Sequence, residues 1–317
     1  MSSKRYLVTG GAGFIGSNIA EALLARGDSV TVLDDFSTGK TSNLEALRGN
    51  VDVVRGSVCD SEAVAKALKD VDGVFHLAAV ASVTRSIEAP VVTDLVNAHG
   101  VLVVLDEARR AGVRKLTFSA SSAAYGDDPS LPKHEDMRPL PISTYGASKV
   151  AGEHHVHVFS KLHGMQAVAL RYFNVFGPRQ DPKGEYAAAI PRFVAAFLAG
   201  KRPTIFGDGQ QTRDFCHVSD VVRANLLAID TPAAAGEAIN IARGESVTIR
   251  DLVSMIAAAL GVRANPEFAA LRAGDIVHSS ADISKAHRLL GFVPEVSLSE
   301  GLRETVEYFR AQTGASS

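Results

Sequence analysis

The run Thr9-Gly10-Gly11-Ala12-Gly13-Phe14-Ile15-Gly16 follows a short apolar segment, residues 6–9, and leads into an amphipathic stretch, residues 16–26. Glycines at these positions allow a sharp strand-to-helix turn and let backbone N–H groups approach a phosphate at the positive end of a helix. The spacing Gly10, Gly13, Gly16 is GxxGxxG, its first glycine one residue earlier than in the GxGxxG pattern that Gly11, Gly13 and Gly16 spell. Glycine turns join strands to helices in many chains, so context decides what this one means. Here β-branched and apolar runs at 29–33, 51–55, 73–77, 114–118 and 167–171 alternate with helical patterns at 61–69, 90–110 and 144–162. Several runs are apolar nearly throughout, as expected of parallel strands covered on both faces. Strands alternating with helices imply βαβ crossovers, and hence an α/β fold with a doubly wound parallel sheet. Ligands of such sheets bind at the carboxyl ends of the strands.

Beyond Arg171 the texture changes. Residues 174–186 carry Gly177, Pro178, Pro182 and Gly184, a loop composition that marks a boundary. A helical run at 187–198 and a glycine-rich stretch at 206–209 follow, then strand and helix patterns at 238–242, 248–260, 282–290 and 299–309. The expected organisation is a dinucleotide-binding unit over 1–173 with a return segment at about 214–242, and a smaller α/β substrate-binding lobe over 174–213 and 243–317. The length of 317 residues suits two such units at roughly 150 residues each.

Thirty-three basic and thirty-five acidic side chains leave a net charge of -2, without the basic excess that a nucleic-acid or membrane-surface binder needs. Cys59 and Cys216 form no CxxC pair, which argues against a disulfide framework or a structural zinc site. The apolar run 95–105 is interrupted by Asn97 and His99 and falls short of a membrane span, and the first strand-like run starts at Lys4, leaving no space for a cleavable leader. A soluble cytoplasmic protein is the expectation. His154 and His157 are three residues apart, yet no HExxH pattern or further ligand accompanies them, so no metal is expected.

Asp34 closes the second strand eighteen residues after Gly16, where a carboxylate can accept hydrogen bonds from ribose hydroxyls, and Asp35 stands beside it. Adjacent acids repel a 2′-phosphate, and no Arg or Lys lies between Arg26 and Lys40 to neutralise one. NAD is therefore favoured over NADP.

Tyr145-Gly146-Ala147-Ser148-Lys149 opens a helix after a proline-rich loop, and residues four apart share a helix face. A phenol is a poor base at its ordinary pKa of about 10; a nearby ammonium and an oxidised nicotinamide would draw it down. Taken alone, Tyr-x-x-x-Lys recurs on helices by chance. Ser119-Ala120-Ser121-Ser122-Ala123-Ala124-Tyr125-Gly126 ends the fifth strand at the same crevice, where a hydroxyl can bind a reacting oxygen or simply satisfy the strand terminus.

Together, GGAGFIG, Asp34, HLAA (76–79), SASSAAYG, YGASK and RYFN (171–174) resemble the extended short-chain dehydrogenase/reductases, and among them the UDP-hexose 4-epimerases. The resemblance runs from about residue 4 to 310 and implies a Rossmann-like sheet. It matches Ser121 to the catalytic serine, Tyr145 to the base and Lys149 to the cofactor-binding lysine. The implied NAD contacts are Gly10, Gly13, Phe14, Ile15 and Gly16; Asp34, Asp35, Phe36, Ser37 and Thr38; Ser57 and Val58; Leu77, Ala78, Ala79 and Ala81; and Tyr145, Lys149 and Tyr172. Two positions depart from the pattern. Many relatives have Asp at Ser57, and some have Lys at Ala81; both changes weaken the expected hold on NAD without changing its identity.

The resemblance also implies the chemistry: a 4-keto sugar forms, turns over and is reduced on its opposite face. Related 4,6-dehydratases carry Asp and Glu after the catalytic hydroxyl, and related decarboxylases keep the Glu; this chain has Ser122 and Ala123, which supply no comparable proton transfer. The implied partner is a UDP-hexose held by Ser82, Ser121, Ser122, Tyr145, Asn174, Phe206, Arg213, Arg272, Asp275 and Ser279. An arginine fork suits a diphosphate. A small residue at Ser279 leaves room for an N-acetyl group, so UDP-N-acetylglucosamine and its galacto epimer are the expected pair, with UDP-glucose and UDP-galactose a further candidate pair. The resemblance also implies a homodimer in which the helices carrying 91–104 and 150–162 pair with their symmetry mates. The alternatives are a UDP-glucuronate epimerase or decarboxylase, a net oxidoreductase releasing NADH, and a non-catalytic NAD-binding module.

Overall fold

The computed structural model describes residues 3–47, 51–182, 188–270 and 277–314. Strands β1 (Arg5–Thr9), β2 (Ser29–Asp34), β3 (Val51–Arg55), β4 (Gly73–His76), β5 (Lys115–Ser121) and β6 (Gln166–Tyr172) carry the first half of the chain. Short strands β7 (Val175–Phe176), β8 (Thr204–Phe206), β9 (Thr212–Asp214) and β10 (Cys216–His217) precede β11 (Ala238–Ile241), β12 (Ser246–Thr248) and β13 (Glu267–Ala269). One seven-stranded sheet has the order β11-β6-β5-β4-β1-β2-β3, and all of its pairings are parallel. The strand order reverses between β1 and β4, so the crevice opens beside Thr9 and His76, which pair in register. The expected doubly wound, Rossmann-like fold is the observed one.

Helices α1 (Phe14–Ala25), α2 (Thr41–Glu45), α3 (Ser61–Ala67), α4 (Val83–Glu88), α5 (Pro90–Asp94), α6 (Gly100–Arg110), α7 (Thr144–His163), α8 (Ala189–Leu198), α9 (Val218–Ile229), α10 (Ile249–Leu260), α11 (Ser284–Leu290) and α12 (Leu298–Gly314) complete the chain. Asp60 starts α3 by accepting from the Glu62 and Ala63 N–H groups, and Ser143 starts α7 by accepting from Gly146 N–H at 3.1 Å. Buried residues of α3, α6 and α7 close one face of the sheet, while Ile19, Leu23, Val218 and Val222 of α1 and α9 close the other. A separate apolar cluster joins α8, α10 and α12 around Phe193, Leu252 and Val306, away from the sheet. Three two-stranded ladders, β10-β7, β12-β9 and β13-β8, border that cluster.

The single helix expected over 90–110 is interrupted. Leu95–His99 forms a π-helical turn between α5 and α6. Its cause is Asn97, which is buried and bound to another segment: its Oδ1 accepts from Val80 N–H at 2.7 Å, and its Nδ2 donates to the Val80 carbonyl at 3.2 Å and to Ser148 Oγ at 3.2 Å. Leaving those groups unpaired would cost about 1–3 kcal/mol each, enough to distort one turn of helix. The expected strand 114–118 also runs on to Ser121. Among the described residues, no helix is long and apolar enough to cross a membrane.

Candidate active site

A cavity of ≈ 970 Å³ lies at the carboxyl ends of β1, β2, β4 and β5. Gly10 turns out of β1 at φ +69, and a Cβ there would sit 2.8 Å from the Ala78 nitrogen, so only glycine lets the two strand ends approach. Thr9 Oγ1 ties this point together, accepting from the Leu77 and Ala78 N–H groups at 3.2 and 3.3 Å and lying 2.7 Å from His76 Nδ1. Gly13 caps α1 and offers no side chain to its first turn, which leaves backbone donors facing the cleft. Gly13, Phe14, Ile15 and Gly16 line the cavity beside Gly10.

Asp34 closes β2 and is almost fully buried; its carboxylate accepts from Ala12 N–H at 2.9 Å and Phe36 N–H at 2.8 Å. Burial raises its pKa, those two hydrogen bonds oppose the rise, and neighbouring Asp35 adds to it. Asp35, Ser37 and Thr38 also line the cavity, whereas Phe36 does not: it turns its ring to the Arg55 guanidinium, 5.6 Å away. Lys40 lines the cleft with its ammonium 3.2 Å from Asp181. These features fit NAD: a glycine turn at a helix start, a buried carboxylate at the end of β2, and a local cation already paired to a carboxylate. Ser57, Val58, Leu77, Ala78, Ala79, Ala81 and Tyr172 complete the predicted lining, and Ser57 Oγ accepts from Cys59 N–H at 3.2 Å.

Ser121, Tyr145 and Lys149 meet on one wall of this cavity, with Ser122 and Ala123 beside them. Ser121 Oγ is fixed by Ala123 N–H at 3.2 Å, because the serine caps a 3-10 turn, Ser122–Tyr125. It also hydrogen-bonds the Tyr145 phenol. Lys149 is buried; its Nζ donates to the Ser119 carbonyl at 2.6 Å and lies 5.0 Å over the Phe118 ring and 5.9 Å from the Tyr145 ring centre. Burial lowers the lysine pKa to about 7, with Glu153 opposing. The sequence suggested a phenol drawn down. In the structure, burial pushes Tyr145 up and the Ser121 hydrogen bond opposes that rise. The cause is burial of the phenol; the short contact of Lys149 goes to the Ser119 carbonyl.

A second cavity of ≈ 270 Å³ shares Asn174 with the first, and Phe206 and Arg213 line it. Asn174 adopts φ +28 and donates to the Asp214 carbonyl at 2.9 Å. Arg213 Nη1 donates to the Thr212 and Val277 carbonyls at 2.8 and 3.2 Å. Ser82 lies in the first cavity and caps α4. Ser279 lines neither cavity; its N–H reaches the Thr212 carbonyl at 3.1 Å, next to Arg213 in sequence. Arg272 and Asp275 lie outside the described residues.

Sequence reasoning missed Arg179 and Asp181, which line the first cavity from the loop after β7. Arg179 pairs with Glu21 of α1 at 2.9 Å, as Asp181 does with Lys40. It also missed Asn97 and Ser148 behind Lys149. The signal for Asn97 was a polar residue inside the apolar run 95–105. Among the described residues there is no group of three side chains able to hold a metal ion.

The family model "NAD dependent epimerase/dehydratase family" matches residues 6–242, so the chain belongs to that family. It is 40% identical over 310 residues to a UDP-glucose 4-epimerase of Mycolicibacterium smegmatis, covering 96% of this chain and 98% of that one. A solved UDP-N-acetylglucosamine 4-epimerase of Methanobrevibacter ruminantium, in complex with UDP-N-acetylmuramic acid, superposes with a TM-score of 0.93 at 40% identity over 98% of this chain and 100% of that one. The UDP-glucose 4-epimerase of Thermus thermophilus, complexed with NAD, gives 0.87 at 40% identity over 96% and 99%.

Proposed function

We propose that this protein is an NAD-dependent isomerase that inverts C4 of a UDP-hexose. The observation that carries the reading is the meeting of Ser121, Tyr145 and Lys149 on the wall of a cleft whose other end fits a dinucleotide. NAD, when bound, accepts a hydride from the sugar carbon and returns it. Gly10, Gly13, Asp34, Ser57 and Lys149 are the chain's main holds on it. Tyr145 takes the proton of the 4-hydroxyl and later gives it back, and Ser121 holds the same oxygen through its Oγ. Lys149 supplies positive charge beside the phenol. Ser122 and Ala123 offer no acid or base for elimination or decarboxylation, so the C4 ketone persists until it is reduced.

The UDP group lies along the second cavity in this reading, against Asn174, Phe206 and Arg213. The lobe boundary at 173/174 then falls where the two cavities meet. Acetylated and non-acetylated hexoses are both substrates, gated at Ser279. Val91, Leu95 and Leu162, at 79%, 49% and 74% exposure, support a homodimer through the helical stretches 91–104 and 150–162. Sedimentation showing only monomer would remove the dimer from this reading.

The test is incubation with UDP-galactose and UDP-N-acetylgalactosamine separately, without added nicotinamide, followed by proton NMR. Inverted sugars are expected from each. A 4-keto-6-deoxy product, or turnover that requires added NAD and releases NADH, overturns the assignment.

A further inference from the structure

One helical turn beyond Lys149, on the side away from Tyr145, α7 carries Glu153. Residues 145, 149 and 153 are four apart and share a helix face. Glu153 meets Arg171 of β6 through two parallel bonds: Nε donates to Oε1 at 2.8 Å and Nη2 to Oε2 at 2.7 Å. The side chains are 7% and 4% exposed. The guanidinium lies 4.8 Å from the Tyr125 ring centre, and its Nη1 has no hydrogen-bond partner among the described residues. Withdrawing two charges from water offsets most of their attraction, and apolar residues of similar volume often replace such pairs without loss. Stability is therefore a poor reason for charge at this place.

The neighbourhood supplies a better one. Lys149 is as buried as the pair, and burial favours its neutral form. Facing it are Phe118 and Ser119 of β5, Tyr145 and Glu153 of α7, and His76 of β4, which burial holds neutral with a pKa of about 3. Arg171 stands behind Glu153, with Tyr125 and Glu135 beyond it. Glu153 is the group that favours the lysine's charged form.

We propose that Glu153 and Arg171 are positioning residues for the reaction: the carboxylate keeps the Lys149 ammonium charged beside Tyr145, and the guanidinium keeps that carboxylate ionised and aimed. The proposal rests on the roles assigned to Tyr145 and Lys149 above. A lone carboxylate at this depth takes up a proton, whereas one gripped by a permanently charged fork does not.

The experiment follows kcat and KM of the holoenzyme for UDP-galactose across neutral and alkaline pH. In parallel, 15Nζ NMR of lysine-labelled protein follows the Lys149 midpoint, assigned with Lys149→Arg. Glu153→Gln and Arg171→Met should each move the alkaline limb of kcat and the Lys149 midpoint down by about one pH unit, with KM unchanged. Arg171→Lys should restore most of that shift. The double variant Glu153→Met with Arg171→Met leaves no charge unpaired; it should fold where a single variant fails and show the same shift. A uniformly lower kcat with an unmoved limb and midpoint would overturn the proposal, as would a change confined to KM. If the native protein inverts no sugar while the midpoint still falls in Glu153→Gln, the isomerase reading fails and the coupling between Glu153 and Lys149 stands.

Discussion

At the sheet end of the cleft, Gly10, Leu77 and Ser121 owe their places to the ladder hydrogen bonds of one parallel sheet. At the other end, Asn174, Arg213 and the backbone near 243 and 281 are gathered by a single buried acid. Asp214 accepts from Arg243 N–H at 2.9 Å, Gly244 N–H at 3.0 Å and Ala281 N–H at 3.3 Å, and its carbonyl accepts from Asn174. Periodic structure places the first set, so many weak bonds share the task. One residue places the second, three of these four bonds ending on its carboxylate, so a point change there reaches several segments at once.

That contrast can be broken experimentally. The largest effect belongs to the sheet end: Tyr145→Phe should lower kcat roughly 10²–10⁴-fold with an unchanged melting temperature, because it removes a proton-transfer group and no packing. Asp214→Ala should do the opposite. It leaves three N–H groups without their acceptor, at about 1–3 kcal/mol each, and should cost several kcal/mol in urea unfolding, with a raised KM for the UDP-sugar and unchanged NAD content. A drop in NAD content with KM unaffected would merge the two regions into one.

His76 sharpens the comparison through pH. Its folded pKa of about 3 lies below its ordinary 6.5, so the native state binds fewer protons than the unfolded chain between those values. Its stabilising contribution is complete above pH 6.5 and is lost as pH falls toward 3, by up to about 1.4 kcal/mol per pH unit. His76→Asn should flatten that slope in unfolding midpoints measured at successive pH values. The smallest effect tests selectivity. Ser279→Tyr should cut turnover of the N-acetylated pair roughly tenfold relative to the plain hexoses, and equal loss for both would remove the gate.

How much of this was legible follows the same division. The glycine turn, Asp34 and Tyr-x-x-x-Lys lie within short windows whose geometry is local, and the βα alternation fixes which strand ends they share. Asn97 was visible only as a polar interruption, because its partners Val80 and Ser148 lie 17 and 51 residues away. Glu153 only adjoins the His154 and His157 pair, and Arg171 stood out as part of RYFN, yet nothing in either segment says that they touch. Asp214 is silent in sequence for the same reason: its bonds span 29 to 67 residues and end on backbone groups, which carry no residue signature.

The π-helical turn at Leu95–His99 has a consequence for how one rod serves two surroundings. Val91, Val92 and Leu95 face outward, whereas Val101, Val104, Leu105 and Ala108 beyond the turn face the interior. One surplus residue in a helix rotates everything after it by about 100°, so the turn works as a phase shifter between two apolar stripes. Deleting a single residue there would straighten the rod and swing one stripe out of alignment with the other. Swapping the same residue for another of similar size would leave that phase intact, so loss of length, rather than change of letter, is the injury this stretch is least equipped to absorb.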